Sequence, residues 1–241
     1  MRRFFIKGRY EPGDVCRVCG GEAHHIAHVL RMRPGDEVLL CGDGGAEYTA
    51  RLESVEQEVA ARIVSVCRDE AEQPCRITLY QGIPKGDKLE EVCKRCTEIG
   101  VDAFVPVKCT RSVSKWQEKD TEHKLERLRR TVLSACKQCG GSVPASVSGP
   151  VSVREAAEAE HGLKLAAYEK ESALSIMSAV HGSEADDIAI FIGPEGGISE
   201  QEMELLVQNG WISVSLGKRI LRTENAGFAA AALVLAALGR I

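Results

Sequence analysis

From residue 77 onward the chain alternates between short apolar runs and helix-patterned segments, and this alternation limits the fold more than any other feature. Residues 77–81, 104–107, 163–167, 188–192 and 212–216 have the length and apolar or β-branched content of strands. Between them, Asp87 is placed to cap a helix ending at Gly100, and residues 121–139 set Leu125, Leu128, Val132 and Ala135 on one helical face. A helix over 173–180 follows. Ser199 with Glu202 three positions on is a capping box for the next helix, which Asn209-Gly210 ends, and an Ala-rich helix from about Glu224 closes the chain. Strands alternating with helices predict a mostly parallel sheet covered on both faces, an α/β fold.

The first seventy residues follow a different pattern. Strands are expected at 15–18, 37–41, 47–52 and 59–66, with turns at Pro34-Gly35-Asp36 and Gly42-Asp43-Gly44-Gly45 and one short helix over 22–30. Several short strands close most naturally as a small β-barrel. The change of pattern sets a domain boundary near residues 70–74, giving domains 1–71 and 72–241.

At 241 residues, 44% hydrophobic and 27% charged, the chain has a globular composition. Its longest apolar stretch, 226–238, is Ala-rich and too short to span a bilayer, so no membrane partner is expected. Met1-Arg2-Arg3-Phe4-Phe5-Ile6-Lys7 lacks the apolar segment and cleavage site of a secretory signal, which points to a cytoplasmic setting. The net charge of −4 is uneven: residues 1–33 and 71–137 each carry +4. Two basic blocks in an acidic chain permit a local phosphate-binding surface, and a solvated mixed-charge face explains them as well.

Six of the ten cysteines form C-x-x-C pairs at Cys16/Cys19, Cys93/Cys96 and Cys136/Cys139. The first pair precedes His24, His25 and His28, but its spacing is short for zinc and no second pair follows locally. The other two lie in helical patterns where small apolar thiols pack well, so the expectation is reduced cysteines and no metal.

Two loops carry the chemistry. Gly193-Pro194-Glu195-Gly196-Gly197 leaves an apolar strand and enters a helix, and so does Leu216-Gly217-Lys218-Arg219-Ile220-Leu221-Arg222-Thr223-Glu224-Asn225-Ala226. In a parallel sheet such loops meet at the carboxyl edge, where small ligands bind. Glycines let a ligand approach the backbone, yet the Lys-Ser/Thr ending of a P-loop and the G-x-G-x-x-G spacing are both missing.

The paired loops resemble the signature of the ribosomal RNA small subunit methyltransferase E family, members of the SPOUT class. The resemblance extends through Arg2-Arg3-Phe4-Phe5, Glu22-Ala23-His24-His25-Ile26, Gly35-Asp36, Asp43-Gly44, Lys85-Gly86-Asp87-Lys88, Thr97-Glu98-Ile99-Gly100-Val101 and Arg111-Ser112-Val113. It implies an N-terminal PUA-like β-barrel, a C-terminal SPOUT domain with a deep trefoil knot, and a homodimer. It also implies S-adenosylmethionine-dependent methylation of a uridine N3 in 16S ribosomal RNA, within the small ribosomal subunit. Ordinary connection rules alone lead to an unknotted doubly wound sheet.

By the same resemblance, Gly193, Gly196 and Gly197 with Leu216, Gly217, Ile220 and Leu221 grip the cofactor, and Asn225 and Ala226 adjoin them. Tyr168 and Glu169, after the strand at 163–167, close the third side. Removing the weakly acidic N3 proton requires a base and stabilisation of the resulting charge. Arg222 is the expected stabiliser, and Glu195 or a bound water the expected base; both residues also border the cofactor. Arg2, Arg3, Arg31 and Arg33, with Lys85, Lys88 and Arg111, are the candidates for RNA phosphates. Asn225 stands where the family has threonine, and Lys137-Gln138-Cys139-Gly140-Gly141 replaces Glu-Gln-Ser-Gly-Arg. The alternatives are a SPOUT enzyme acting on another RNA such as transfer RNA, a non-catalytic RNA-binding relative, and a thiol-rich metal or redox protein.

Overall fold

A computed structural model describes residues 2–56, 58–68 and 75–240. The expected boundary at 70–74 lies outside the described residues. Two compact units are present: Met1–Glu72 with Cys136–Val143, and Gln73–Ala135 with Pro144–Ile241. The compact unit that holds the first sheet takes in Cys136–Val143, where Lys137 pairs with Glu22.

The first unit is built on β1 (Arg3–Phe5), β2 (Val15–Val18), α1 (Gly20–His24), β3 (Glu37–Cys41), β4 (Glu47–Val55) and β5 (Val59–Arg68). They form one sheet of order β1-β3-β4-β5-β2 around a core of Phe4, Ile26, Leu40, Tyr48, Leu52 and Ile63. Among the described residues no pairing of β1 with β2, edge strands of three and four residues, closes it into a ring. Curvature comes instead from three register shifts between β4 and β5, at Glu47/Tyr48, Thr49/Ala50 and Leu52/Ser54. The helix expected over 22–30 is α1 followed by a π-helical turn, His25–Val29, which accommodates the apolar side of Ile26 in the core. Among the described residues no cluster of three metal-ligating side chains occurs, and Cys16 is buried while Cys19 is exposed.

The chain continues with β6 (Arg76–Gly82), α2 (Lys88–Glu98), β7 (Ala103–Lys108), α3 (Glu118–Cys139), β8 (Ser146–Val147), β9 (Val151–Ser152), α4 (Val153–Glu158), β10 (Leu163–Ala167), α5 (Ile176–Val180), β11 (Asp187–Ile192), α6 (Glu200–Gln208), β12 (Ile212–Val214) and α7 (Thr223–Ala237), all of the second unit except the last turn of α3 from Cys136. Its sheet runs β12-β10-β11-β6-β7-β8, with β9 also on β7, and every pairing is parallel. Alternate residues feed two cores. Ile77, Leu79, Ile188, Ile190 and Leu165 join α2, α3, α5 and α7 on one face. Tyr80, Ala189, Phe191 and Ala166 join α4 and α6 on the other, with Trp211 edge-on to Tyr80 and Phe191. The apolar strands read from sequence are therefore buried on both sides, as a parallel sheet requires. Among the described residues no helix is long and apolar enough to cross a membrane.

Asp87 occupies the position before α2 but makes no capping bond; its carboxylate pairs with Arg127 of α3 instead. The short elements β1, β8, β9 and α4 are too brief to stand out by periodicity. A second capping box, Ser152 with Glu155, does mark the start of α4.

The α6 capping box does more than start a helix. Glu202 accepts from Ser199 N at 2.9 Å and from Thr110 N at 2.7 Å, so one carboxylate joins α6 to the segment after β7. Burial pushes its pKa up, but the amide and hydroxyl donors outweigh this and hold it below the ordinary 4.5. A depressed value in the folded state means stabilisation present above the unfolded value and lost as pH falls through the folded one. Thermal melting between about pH 6 and about pH 3 should show a steeper acid loss for the native protein than for Glu202→Gln, whose melting point is lower at neutral pH.

Candidate functional site

Strand register sets the level at which the loops of the second unit emerge. Ala167 pairs with both Ile192 and Val214, and Ile192 pairs with Gln81, so β10, β11, β12 and β6 end together. Their following segments form one cavity of about 620 Å³, a size suited to a cofactor. One wall is Tyr168 and Glu169 after β10. A second is Gly193-Pro194-Glu195-Gly196-Gly197 after β11, and a third is residues 215–222 after β12, continuing through Thr223, Glu224 and Ala226 of α7.

The glycines are required by close backbone approach. A Cβ on Gly193 would lie 2.9 Å from Gly197 C and 3.0 Å from Ile198 N, and one on Gly196 would lie 2.9 Å from Arg111 Cβ. Gly197 has φ +69°, a conformation glycine adopts freely. Behind the loop, a Cβ on Gly82 would meet Pro194 N at 2.6 Å, so β6 presses its end directly against the proline.

Polar contacts fix the loop from three directions. Glu195 Oε1 accepts from Lys88 Nζ at 2.9 Å and from Lys85 N at 3.2 Å. Burial pushes the Glu195 pKa up, yet Lys88 and the neighbouring amides hold it below the usual carboxylate value, and Glu195 in turn raises Lys88. Arg111 Nη1 donates to Gly196 O at 3.0 Å. Thr223 Oγ1 donates to Gly193 O at 2.8 Å from the first turn of α7.

The residues expected around a cofactor from sequence line this cavity: Tyr168, Glu169, Gly193, Glu195, Gly196, Gly197, Leu216, Gly217, Ile220, Leu221, Arg222 and Ala226. Asn225 does not. Its side chain is exposed and its Oδ1 accepts from Arg95 Nη1 at 2.7 Å, because the first turn of α7 points it toward α2. Among the residues expected to meet RNA, Lys88 is in the cavity wall, paired with Glu195 and, at 3.6 Å, with Glu224. Arg111 braces the glycine loop through the carbonyls of Gly196 and Ile198. Arg3 is bound to Glu47 at 2.6 Å within the first unit. These three guanidinium or ammonium groups are spent on the protein itself. Arg2, Arg31 and Arg33 are exposed on the first unit, and Lys85 is exposed beside Glu195.

Sequence reasoning passed over Thr223, Glu224 and Gln81. Thr223 and Glu224 open α7 as hydroxyl and acid in a first turn, a pattern that could have marked them. Gln81 is a polar residue near the carboxyl end of a mostly apolar strand, and it is fully buried.

The cavity wall carries both signs of charge, with Lys88, Lys218, Arg219 and Arg222 beside three carboxylates, and its donors and acceptors fit a zwitterionic sulfonium nucleoside. Glu169, Glu195 and Glu224 are those carboxylates, and the buried Oε2 of Glu224 accepts no hydrogen bond among the described residues, with Lys88 Nζ 3.6 Å away as its ion-pair partner. Ile220, 86% exposed, and Leu221 offer apolar surface at its edge. Backbone from three loops supplies the amides and carbonyls that a purine and an amino-acid tail need.

Comparison with known proteins agrees with this geometry. A family model described as an RNA methyltransferase domain matches residues 71–235, and one described as an RNA methyltransferase PUA domain matches residues 18–64. The chain is 33% identical over 237 residues to ribosomal RNA small subunit methyltransferase E of Bacillus subtilis, covering 94% of this chain and 93% of that protein. Among solved structures it is similar to a putative methyltransferase from Legionella pneumophila in complex with the bound cofactor SAM, at 32% identity and TM-score 0.88 over 98% of this chain and 97% of that one. It is also similar to a ribosomal RNA small subunit methyltransferase E from Neisseria gonorrhoeae bound to S-adenosyl methionine, at 31% identity and TM-score 0.87, with coverage of 98% and 97%. The chain therefore belongs to the ribosomal RNA small subunit methyltransferase E family.

Proposed function

We propose that this protein binds S-adenosylmethionine in the three-loop cavity and methylates 16S ribosomal RNA of the small ribosomal subunit, at N3 of a uridine. The observation that carries the reading is the meeting of the loops after β10, β11 and β12 around one glycine-walled cavity, in a chain similar to two solved proteins that hold this cofactor. The deep trefoil knot, the homodimer and a cytoplasmic setting belong to the same reading, on the strength of the family resemblance. So does a division of the chain into an RNA-holding PUA-like domain, about residues 1–71, and a catalytic domain, about 72–241.

S-adenosylmethionine supplies an electrophilic methyl group when bound. The chain supplies placement and charge. Gly193, Gly196 and Gly197 open the backbone to the cofactor, while Leu216, Ile220 and Leu221 cover its apolar parts. Glu224, whose buried Oε2 accepts no hydrogen bond among the described residues and faces Lys88 Nζ at 3.6 Å, is suited to a hydroxyl or cationic group of the cofactor. Arg222 stands exposed at the cavity, where its guanidinium can meet negative charge as it develops on a uracil ring. Exposed Arg2, Arg31, Arg33 and Lys85 are suited to phosphates, which position RNA without reading its bases.

Glu195 is a poor proton acceptor in this arrangement. Its carboxylate is paired with Lys88 and its pKa is held down, so of the two bases considered, a water at the cavity mouth suits the N3 proton better.

Two variants separate these roles. Arg222→Ala should lower the rate of methyl transfer to small-subunit RNA by on the order of a hundredfold, with cofactor affinity from calorimetry nearly unchanged. Equal losses in both would remove Arg222 from the chemistry. Glu195→Gln should keep the maximal rate within about tenfold of wild type in single-turnover assays; a drop on the order of a thousandfold, the scale of a lost general base, would restore Glu195 to that role.

A further inference from the structure

Gln81 lies at the end of β6, fully buried, and its side chain faces the backs of two cavity loops. Its amide Nε2 donates to Thr223 Oγ1 at 2.9 Å, and the Thr223 hydroxyl donates onward to Gly193 O at 2.8 Å. The same Nε2 lies 3.4 Å from Gly193 O and 3.2 Å from Gly82 O. One buried amide thus ties the carboxyl end of β6, the first residue of the glycine loop and the first turn of α7.

The geometry is demanding for a structural convenience. A glutamine in a parallel strand buried on both faces loses its hydration, and Oε1 finds no hydrogen-bond donor among the described residues. An apolar side chain would avoid that cost. Space around the amide is also closely filled: a Cβ on Gly227 of α7 would lie 3.4 Å from Oε1 and 3.0 Å from Leu79 Cδ2. What the amide provides is a directional link that dispersion contacts do not, because the Gly193 carbonyl must point inward for the Thr223 hydroxyl to reach it. With that carbonyl fixed, the peptide plane entering Pro194-Glu195 is fixed too.

We propose that Gln81 and Thr223 form a positioning relay, which holds the glycine loop and the start of α7 in the mutual geometry that the cofactor cavity needs. Neither acts on the reacting atoms; Gln81 stands behind the loops, and Thr223 contributes to the wall mainly by holding Gly193. The proposal rests on reading the cavity as the S-adenosylmethionine site.

The test uses the full chain, S-adenosylmethionine as titrant, and four variants: Gln81→Met, Thr223→Val, their combination, and Thr223→Ser. Gln81→Met keeps length and removes the amide, Thr223→Val keeps shape and removes the hydroxyl, and Thr223→Ser keeps the hydroxyl. Each of the first two should raise Kd on the order of tenfold, because each breaks one of the two hydrogen bonds in series that hold the Gly193 carbonyl against α7. The combination should be little worse than the weaker single variant, since both break one relay. Thr223→Ser should stay within about twofold of wild type. Amide exchange should quicken at residues 193–197 and 216–224 while the strands at 77–81 and 188–192 keep wild-type protection.

Single variants that bind as wild type, additive losses in the combination, or a uniform rise in exchange across the strands would each overturn the relay. If Gln81→Met fails to fold, the Thr223 pair decides alone: Val weakened with Ser intact supports the relay, and Val and Ser behaving alike overturns it. Wild-type protein that binds no S-adenosylmethionine overturns the reading of the cavity, and the relay's role with it. Normal wild-type binding beside unaffected variants overturns only the relay.

Discussion

Ala167 stands in register with strands on both sides, and this shared level at the carboxyl edge is the constraint on which the site depends. Three segments distant in sequence leave the sheet at the same height, so they must share space. A register slip of one residue in β11 would turn Ile190 and Ile192 from one core to the other and displace the glycine loop along with them. The two dry faces of the sheet, with Trp211 filling one and α7 the other, make that slip costly.

Sharing space explains the composition of the loops better than ligand chemistry alone. Gly82 allows β6 to touch Pro194, Gly193 allows the loop to fold back on Gly197, and Gly196 lets Arg111 cross behind it. The charged contacts that span the segments, Lys88 with Glu195 and Arg111 with the Gly196 carbonyl, are partly exposed. Pairs of that kind add little to global stability. Their importance is directional, since each holds one loop against another at the cavity wall.

Strand positions in the parallel sheet were legible because burial on both faces leaves continuous apolar runs bounded by turns. The start of α6 was legible from Ser199 and Glu202, whose side chains cap it as their spacing implies. The same spacing at Ser152 and Glu155 marks a helix of only six residues, too short for periodicity to support it. Asp87 illustrates the opposite case: a residue of the right type in the right place was drawn away from the helix end by an arginine forty positions later. The π-helical turn after α1 and the unclosed edge of the first sheet depend on how the core packs, which local pattern does not encode.

The sequence by itself determined the class of the second unit, the two glycine-bearing loops and the family, because turn chemistry and apolar periodicity are local properties written in neighbouring residues. Only the tertiary structure decided which charges remain available to a ligand. Arg222 stays exposed at the cavity, while Lys88, Arg111 and Arg3 are taken by partners that lie far away in the chain. It also decided that Asn225 turns to Arg95 and that Gln81 stands buried behind the loops. The physical reason is the same in each case: a side chain's partner is chosen by which strands and helices pack side by side, and that choice is made across the whole sheet.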